Sequence, residues 1–208
     1  MRILALCGVL SAACFIAADA LGIALRPDYS PVSQAISELL ERGAPNKALL
    51  DGLILGFHGL VVPFAWALQR GLPRGPGGPT GPALLAAAGA TGVVLTLFFP
   101  CDPGCAPPVT WRGLAHILIA IPMGFAVLFG LLAIGIRLRT APGWRAHAAY
   151  TAASFAVGVA LAVVTVAMAE TRWVGALERA LTLSYLQWYV VTGARLALRP
   201  PPPTALSG

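Results

Sequence analysis

Charge is what this chain has least of. Only 11% of its 208 residues are Asp, Glu, Lys or Arg, against roughly 25% in a soluble domain that must cover its surface against water. That shortage excludes an ordinary water-facing fold. Histidine and cysteine are also scarce, at three and four residues, which limits what a metal site could be built from. There is no internal repeat, no Gly-rich phosphate loop and no Ser-His-Asp ordering in a convincing context. In their place is apolar side chain: 58% of residues are hydrophobic and the mean hydropathy is +0.79. The solvent for so much apolar surface is lipid. The net charge of +6 does not point to nucleic acid, because the arginines are scattered over short loops and no helix carries a basic face.

Six apolar runs approach or reach the ~20 residues a helix needs to cross a hydrocarbon core: 3–25, 49–68, 82–99, 114–136, 148–169 and 180–198. None alternates like a barrel strand, and helices satisfy their own backbone in lipid. The expected fold is all-α, a polytopic membrane bundle of about six transmembrane helices. A single domain fills 1–199, and a Pro-rich, disordered tail follows over 200–208. The first run, with Arg2 before it and Ala18 and Ala20 near its end, has a signal peptide as its rival reading. Its length favours a retained helix. Six spans put both termini on one side. That side holds Arg2, Arg70, Arg74, Arg137, Arg139, Arg145, Arg195 and Arg199, and the other holds Arg26, Arg42, Lys47, Arg112, Arg172 and Arg179. The bias favours cytoplasmic termini in a cell membrane.

Two outer loops carry more than hydrophobicity. In the first, Ser30 suits an N-cap, Pro31 a first helical position, and Gly43 with Pro45 a stop. Val32, Ile36, Leu39 and Leu40 share one face at helical spacing. The segment 31–42 is expected to be a surface helix, either a structural loop or a lid over the bundle mouth. In the second loop, Cys101 and Cys105 flank the turn-forming Asp102-Pro103-Gly104. A disulfide is expected if the loop faces an oxidising compartment; a metal site is the competing reading, but two thiolates would need further ligands. Cys7 and Cys14 read as small packing residues in the first helix.

The few ionisable groups inside the spans gather in the outer half. Asp19 lies in the outer third of the first helix, His58 about 13 Å into the second and His116 near the outer end of the fourth. Glu170 closes the fifth, and Tyr185, Gln187 and Tyr189 occupy the sixth. Such groups are costly in lipid and usually face the bundle interior. They can also serve only as interhelical bonds. Asp19, His58, His116, Glu170 and Gln187 are therefore the expected ligand-binding set of an outward-facing polar pocket, with no catalytic residue assigned. Gly52 and Gly56 suggest a close helix approach.

The stretch Asp28-Tyr29-Ser30-Pro31-Val32-Ser33-Gln34-Ala35-Ile36-Ser37-Glu38-Leu39, then Gly43-Ala44-Pro45, then Phe99-Pro100-Cys101-Asp102-Pro103-Gly104-Cys105 followed by His116, resembles domain-of-unknown-function family 998, mostly bacterial membrane proteins. The likeness covers nearly the whole chain. Leu39-Leu40-Glu41 departs slightly from the family's Ser-Glu-Leu-Gly type of ending. The resemblance implies six helices and a membrane location, and no activity.

The leading functional reading is a non-enzymatic bundle that binds a membrane lipid or small amphiphile in the outer pocket. The alternatives are an intramembrane metal-dependent hydrolase and a small proton-coupled transporter using Asp19 and His58. A hydrolytic zinc site wants three protein ligands. His147 falls at the opposite end from His58 and His116, so Asp19 would have to be the third. Transporters often have repeats or broken helices; Pro63 and Pro122 could kink two spans, but no matched halves are present. No cofactor, resident metal or nucleic-acid partner is called for, and a homo-oligomer is left open.

Overall fold

The structure is a computed structural model that describes residues 1–105 and 107–198. The expected Pro-rich tail at 200–208 lies outside the described residues. Six long helices follow one another: α1 Arg2–Leu25, α2 Lys47–Gly71, α3 Thr80–Phe98, α4 Trp111–Leu138, α5 Arg145–Ala167 and α6 Val174–Ala197. Among the described residues there is no strand, and a short 3-10 helix, Ile36–Leu40, completes the set. Each helix packs on its neighbours in sequence, and α6 returns to pack on α1. The bundle is thus an up-and-down ring of six helices.

Helices α1 to α5 are long and apolar enough to cross a membrane. Their outward faces are bare hydrocarbon: Leu10, Leu118, Ile121, Phe125 and Val163 are each more than half exposed. In water that surface would be strongly unfavourable, so it faces lipid. α6 is as long, at 24 residues, but more polar. Its place in the ring, closing against α1 and α5, carries it through the same slab. The protein is a multi-pass membrane protein.

The sixth span begins earlier than the apolar run at 180 suggested. Glu178 and Arg179 lie inside α6, because Arg179 is paired rather than solvated. Its Nε and Nη2 donate to the two carboxylate oxygens of Asp19 on α1, at 3.1 and 2.8 Å. A charge neutralised at the helix–helix seam need not end a helix.

The half of the ring on the side where the chain begins, called inner as in the expected orientation, is solid; the opposite end, with the 26–46 and 99–110 loops, is called outer. Phe64, Leu68, Leu85, Leu131, Ile134, Leu138 and Trp188 are all but fully buried and belong to one core. α2 and α4 run on through Pro63 and Pro122. Of the paired glycines, Gly56 lets Cys14 of α1 come close, whereas Gly52 faces open space.

The outer loop between α1 and α2 corrects the expected helix over 31–42. Turns occupy 31–33, and only Ile36–Leu40 is helical, as 3-10. The physical reason is that side chains, mostly from outside the segment, satisfy the backbone. The Tyr29 hydroxyl reaches the carbonyls of Gln34 and Ala35 at 3.0 and 2.7 Å. Glu38 accepts from the Ala35 N–H at 2.8 Å, Glu178 of α6 from the Ile36 N–H at 2.8 Å, and Arg26 donates to the Glu38 carbonyl at 2.6 Å. A segment whose backbone donors and acceptors are met by side chains has no need of the full i to i−4 ladder. The expected apolar face is partly buried in the bundle: Ile36 and Leu39 are buried, while Val32 is exposed.

Candidate functional site: an outer cavity on the ring axis

Above the solid core the ring forms a half-open cavity of about 180 Å³. Two helical stripes supply most of its polar lining. On α2 the stripe runs Lys47, Asp51, Ile54 and His58; on α6 it runs Glu178, Thr182 and Tyr185. Both step three or four residues at a time, which keeps them on one helix face. α1 adds Phe15, α3 adds Leu95 and Thr96, α4 adds His116, Ala120 and Met123, and the 3-10 helix closes the top with Ile36, Ser37 and Leu40. α5 contributes nothing to the lining.

His58 sits at the floor, where a narrower hollow lined also by Val61, Gly89, Val127 and Tyr189 continues inward. Its side chain is 9% exposed and, among the described residues, makes no hydrogen bond, only a ring contact with Phe57 at 4.5 Å between centroids. Gly92 of α3 makes room for it, since a Cβ there would overlap the imidazole. An imidazole buried this deeply ordinarily has a partner. Here its neighbouring free space is the cavity. His116 is held differently: its Nδ1 lies 2.8 Å from the Phe99 carbonyl oxygen. A carbonyl only accepts, so Nδ1 carries the proton and donates, and in the neutral ring Nε2 is left as an acceptor.

The remaining polar groups are partly spent. Lys47 bridges Asp51 at 2.7 Å across one turn at the rim. One Glu178 oxygen accepts from Ile36, and no Lys or Arg nitrogen lies in ion-pair range of its carboxylate among the described residues.

The structure brings together two of the expected binding residues and separates the others. His58 and His116 share the cavity. Asp19 lies behind the 3-10 helix, in a small hollow with Ala18, Leu39 and Leu50, and both its oxygens are taken by Arg179. Gln187 turns to the α5 side, where its amide donates to Ser154 Oγ at 2.9 Å and it meets the Tyr150 hydroxyl. Glu170 is exposed in the turn between α5 and α6. Among the described residues no three His, Cys, Asp or Glu side chains converge as metal ligands.

Lys47, Asp51, Glu178 and Thr182 were not among the expected set. Their signal was present as spacing, four polar positions down one face of α2 and α6, but it straddled the point where each apolar run begins. Arg179 was expected only as an outer loop charge, since pairing with Asp19 across 160 residues leaves no local trace.

The two outer loops are stitched together over this mouth. Cys101 and Cys105 form a disulfide with their α-carbons 5.0 Å apart. Between them Asp102 is buried. It pairs with Arg42 of the first loop and accepts from the Val109 and Thr110 N–H groups and the Thr110 hydroxyl at 2.7–2.8 Å. The Thr110 and Val109 hydrogen bonds and the Arg42 charge hold its carboxyl below the ordinary value of 3.8. Glu41 ties in the other direction, to Arg26 at 2.8 Å and to the Gly104 N–H at 2.6 Å.

No curated protein and no solved structure matches this sequence. A family model described as "Protein of unknown function (DUF998)" matches residues 9–195, from within the first helix into the last turn of the sixth and across both stitched loops. The chain belongs to that family.

Proposed function

We propose that this protein, seated in the cell membrane with its termini cytoplasmic, binds a lipid or small amphiphile in the outer cavity. One observation carries the reading: the unpartnered His58 imidazole, nine-tenths buried, at the floor of a cavity walled by Phe15, Ile54, Leu95 and Met123. Polar groups at the floor and rim with hydrocarbon between them suit a ligand that is itself divided. The unspent groups are His58, the His116 Nε2 and one Glu178 oxygen. They favour a head that offers hydroxyl or amine donors.

Size supports an amphiphile that is only partly enclosed. Drug-sized ligands fill about 300–1,000 Å³, and this cavity has about 180 Å³, enough for a head or a short length of chain. The remainder would leave on the side of α5. Beyond Gly158 no α5 residue is buried, and on the outer half of α4 only Gly113 is. A tail leaving between α4 and α6 would meet lipid directly.

The test is the lipid that accompanies the purified full-length protein. Ala120→Trp places a large side chain in the cavity from α4, and Gly92→Ala displaces His58. A co-purifying amphiphile, identified by mass spectrometry, should be depleted about tenfold or more in Ala120→Trp, with the thermal midpoint of the bundle retained. An unchanged lipid profile in both variants removes the proposal.

A further inference from the structure

All eight acidic residues, Asp19, Asp28, Glu38, Glu41, Asp51, Asp102, Glu170 and Glu178, lie at the outer end of the ring. At the other end, where the chain begins, the charged side chains among the described residues are all arginines. Among them Arg137 of α4 is buried, 3% exposed, and has no carboxylate partner among the described residues. Its five N–H groups go to neutral oxygens: Nε to the Pro73 carbonyl at 2.7 Å, Nη1 to Gln69 Oε1 and the Gly78 carbonyl at 2.9 Å each, Nη2 to the Leu72 and Gln69 carbonyls at 3.0 and 3.4 Å. Those carbonyls belong to the last turn of α2 and the loop after it. Unopposed, they would present partial negative charge to anything approaching that end. Arg137 cancels it and holds the loop in shape.

Next to Arg137 is an open groove of about 500 Å³, lined by Trp66, Gln69, Arg70, Leu72, Arg74 and Arg137. The Arg70 guanidinium stacks over the exposed Trp66 ring at 4.6 Å, the arrangement of an aromatic anchor at a membrane–water boundary. Arg74 is exposed and has no ion-pair partner among the described residues. We infer that this groove is an anion site for a phosphate group at the inner membrane boundary, held by Arg70 and Arg74 over the Arg137-braced loop. The chemistry would serve the phosphodiester of an anionic lipid, whose tails would run along the Trp66 side of α2, or a free phosphate.

The full chain in neutral detergent is titrated with dioleoylphosphatidylglycerol and, separately, with dioleoylphosphatidylcholine, and retained lipid is counted by native mass spectrometry. Phosphatidylglycerol should be retained in preference. Arg70→Gln/Arg74→Gln should weaken it about thirtyfold, as expected for two basic contacts near an anionic group. Arg139→Gln/Arg145→Gln removes the same charge from exposed positions at the same end but outside the groove, and should cost less than threefold. Displacement of the lipid by millimolar inorganic phosphate assigns the groove to a free anion, and resistance to displacement assigns it to the lipid. Equal retention of the two lipids without phosphate binding, or equal losses in the two double variants, overturns the inference.

Discussion

Two loop residues set opposite pH limits on the outer cap. Asp102 has its carboxyl held down by Thr110, Val109 and Arg42, so the ionised form is the one the fold prefers. A lowered folded pKa gives stability that is present above the unfolded value near 3.8 and lost as pH falls through the folded one. Tyr29 is the reverse. Burial pushes its phenol up to about 12 against the opposing pull of Arg179. Its neutral hydroxyl donates to the loop carbonyls and accepts from Arg179 at 2.8 Å. That contribution is complete below pH 10 and is lost as pH rises toward 12. Thermal melts of the intact protein across pH 2–5 and pH 9–12 should therefore show an acid loss abolished by Asp102→Asn and an alkaline loss abolished by Tyr29→Phe. A wild-type acid limb that survives Asp102→Asn unchanged would move the acid limit elsewhere.

At the scale of elements, the loop between α1 and α2 behaves as part of the bundle rather than as a connector. Ile36 and Leu39 point into it, while Ser33 stays exposed. Gly175 of α6 has no room for a Cβ because the Gln34 and Pro31 carbonyls press on it, and the Ala176 N–H donates to the Val32 carbonyl at 3.1 Å. Ile36→Asp would bury a charge without a partner and should cost about 3 kcal/mol or more. Ser33→Asp should change little, within about 0.5 kcal/mol. Folded yield and melting temperature after extraction measure both, and equal effects would mean that the loop does not seat on the ring.

The helical face of this loop was legible, because Ile36 and Leu39 are spaced for it. Its secondary structure was not. Ser30, Pro31 and Gly43 are good helix punctuation, but local signals do not know that Glu178 and Arg179 wait 142 to 148 residues away to take the same backbone groups. Local propensity is a weak prior wherever tertiary partners compete for the ladder. α6 makes the complementary point, since charged residues that looked like a boundary became interior once Asp19 stood opposite.

For the whole molecule, the up-and-down ring makes a simple topological statement. The 72–79 loop and the second outer loop must lie on opposite sides of the membrane. With termini cytoplasmic, Pro76→Cys should be labelled only from the cytoplasm and Val109→Cys only from outside by a membrane-impermeant maleimide. Cys101 and Cys105 should resist alkylation in intact cells until reductant is added. Labelling of Val109→Cys from the cytoplasmic side would invert the orientation, and with it the oxidising compartment expected for the disulfide.

Composition alone determined that this chain lives in lipid as a bundle of helices. Hydrocarbon allows only helices or closed barrels, and apolar runs of this length without strand alternation leave helices; a count of charges needs no neighbours to be read. The turn at 101–105, short enough for one disulfide, was equally local. The tertiary structure decided everything that depends on which faces meet. Asp19 and His58 looked alike in the sequence, two polar residues in the outer half of a span. The ring gives Asp19 an arginine and leaves His58 a cavity. The difference lies in α6 folding back on α1, a contact between the two ends of the chain whose energy comes from pairing that no single segment contains.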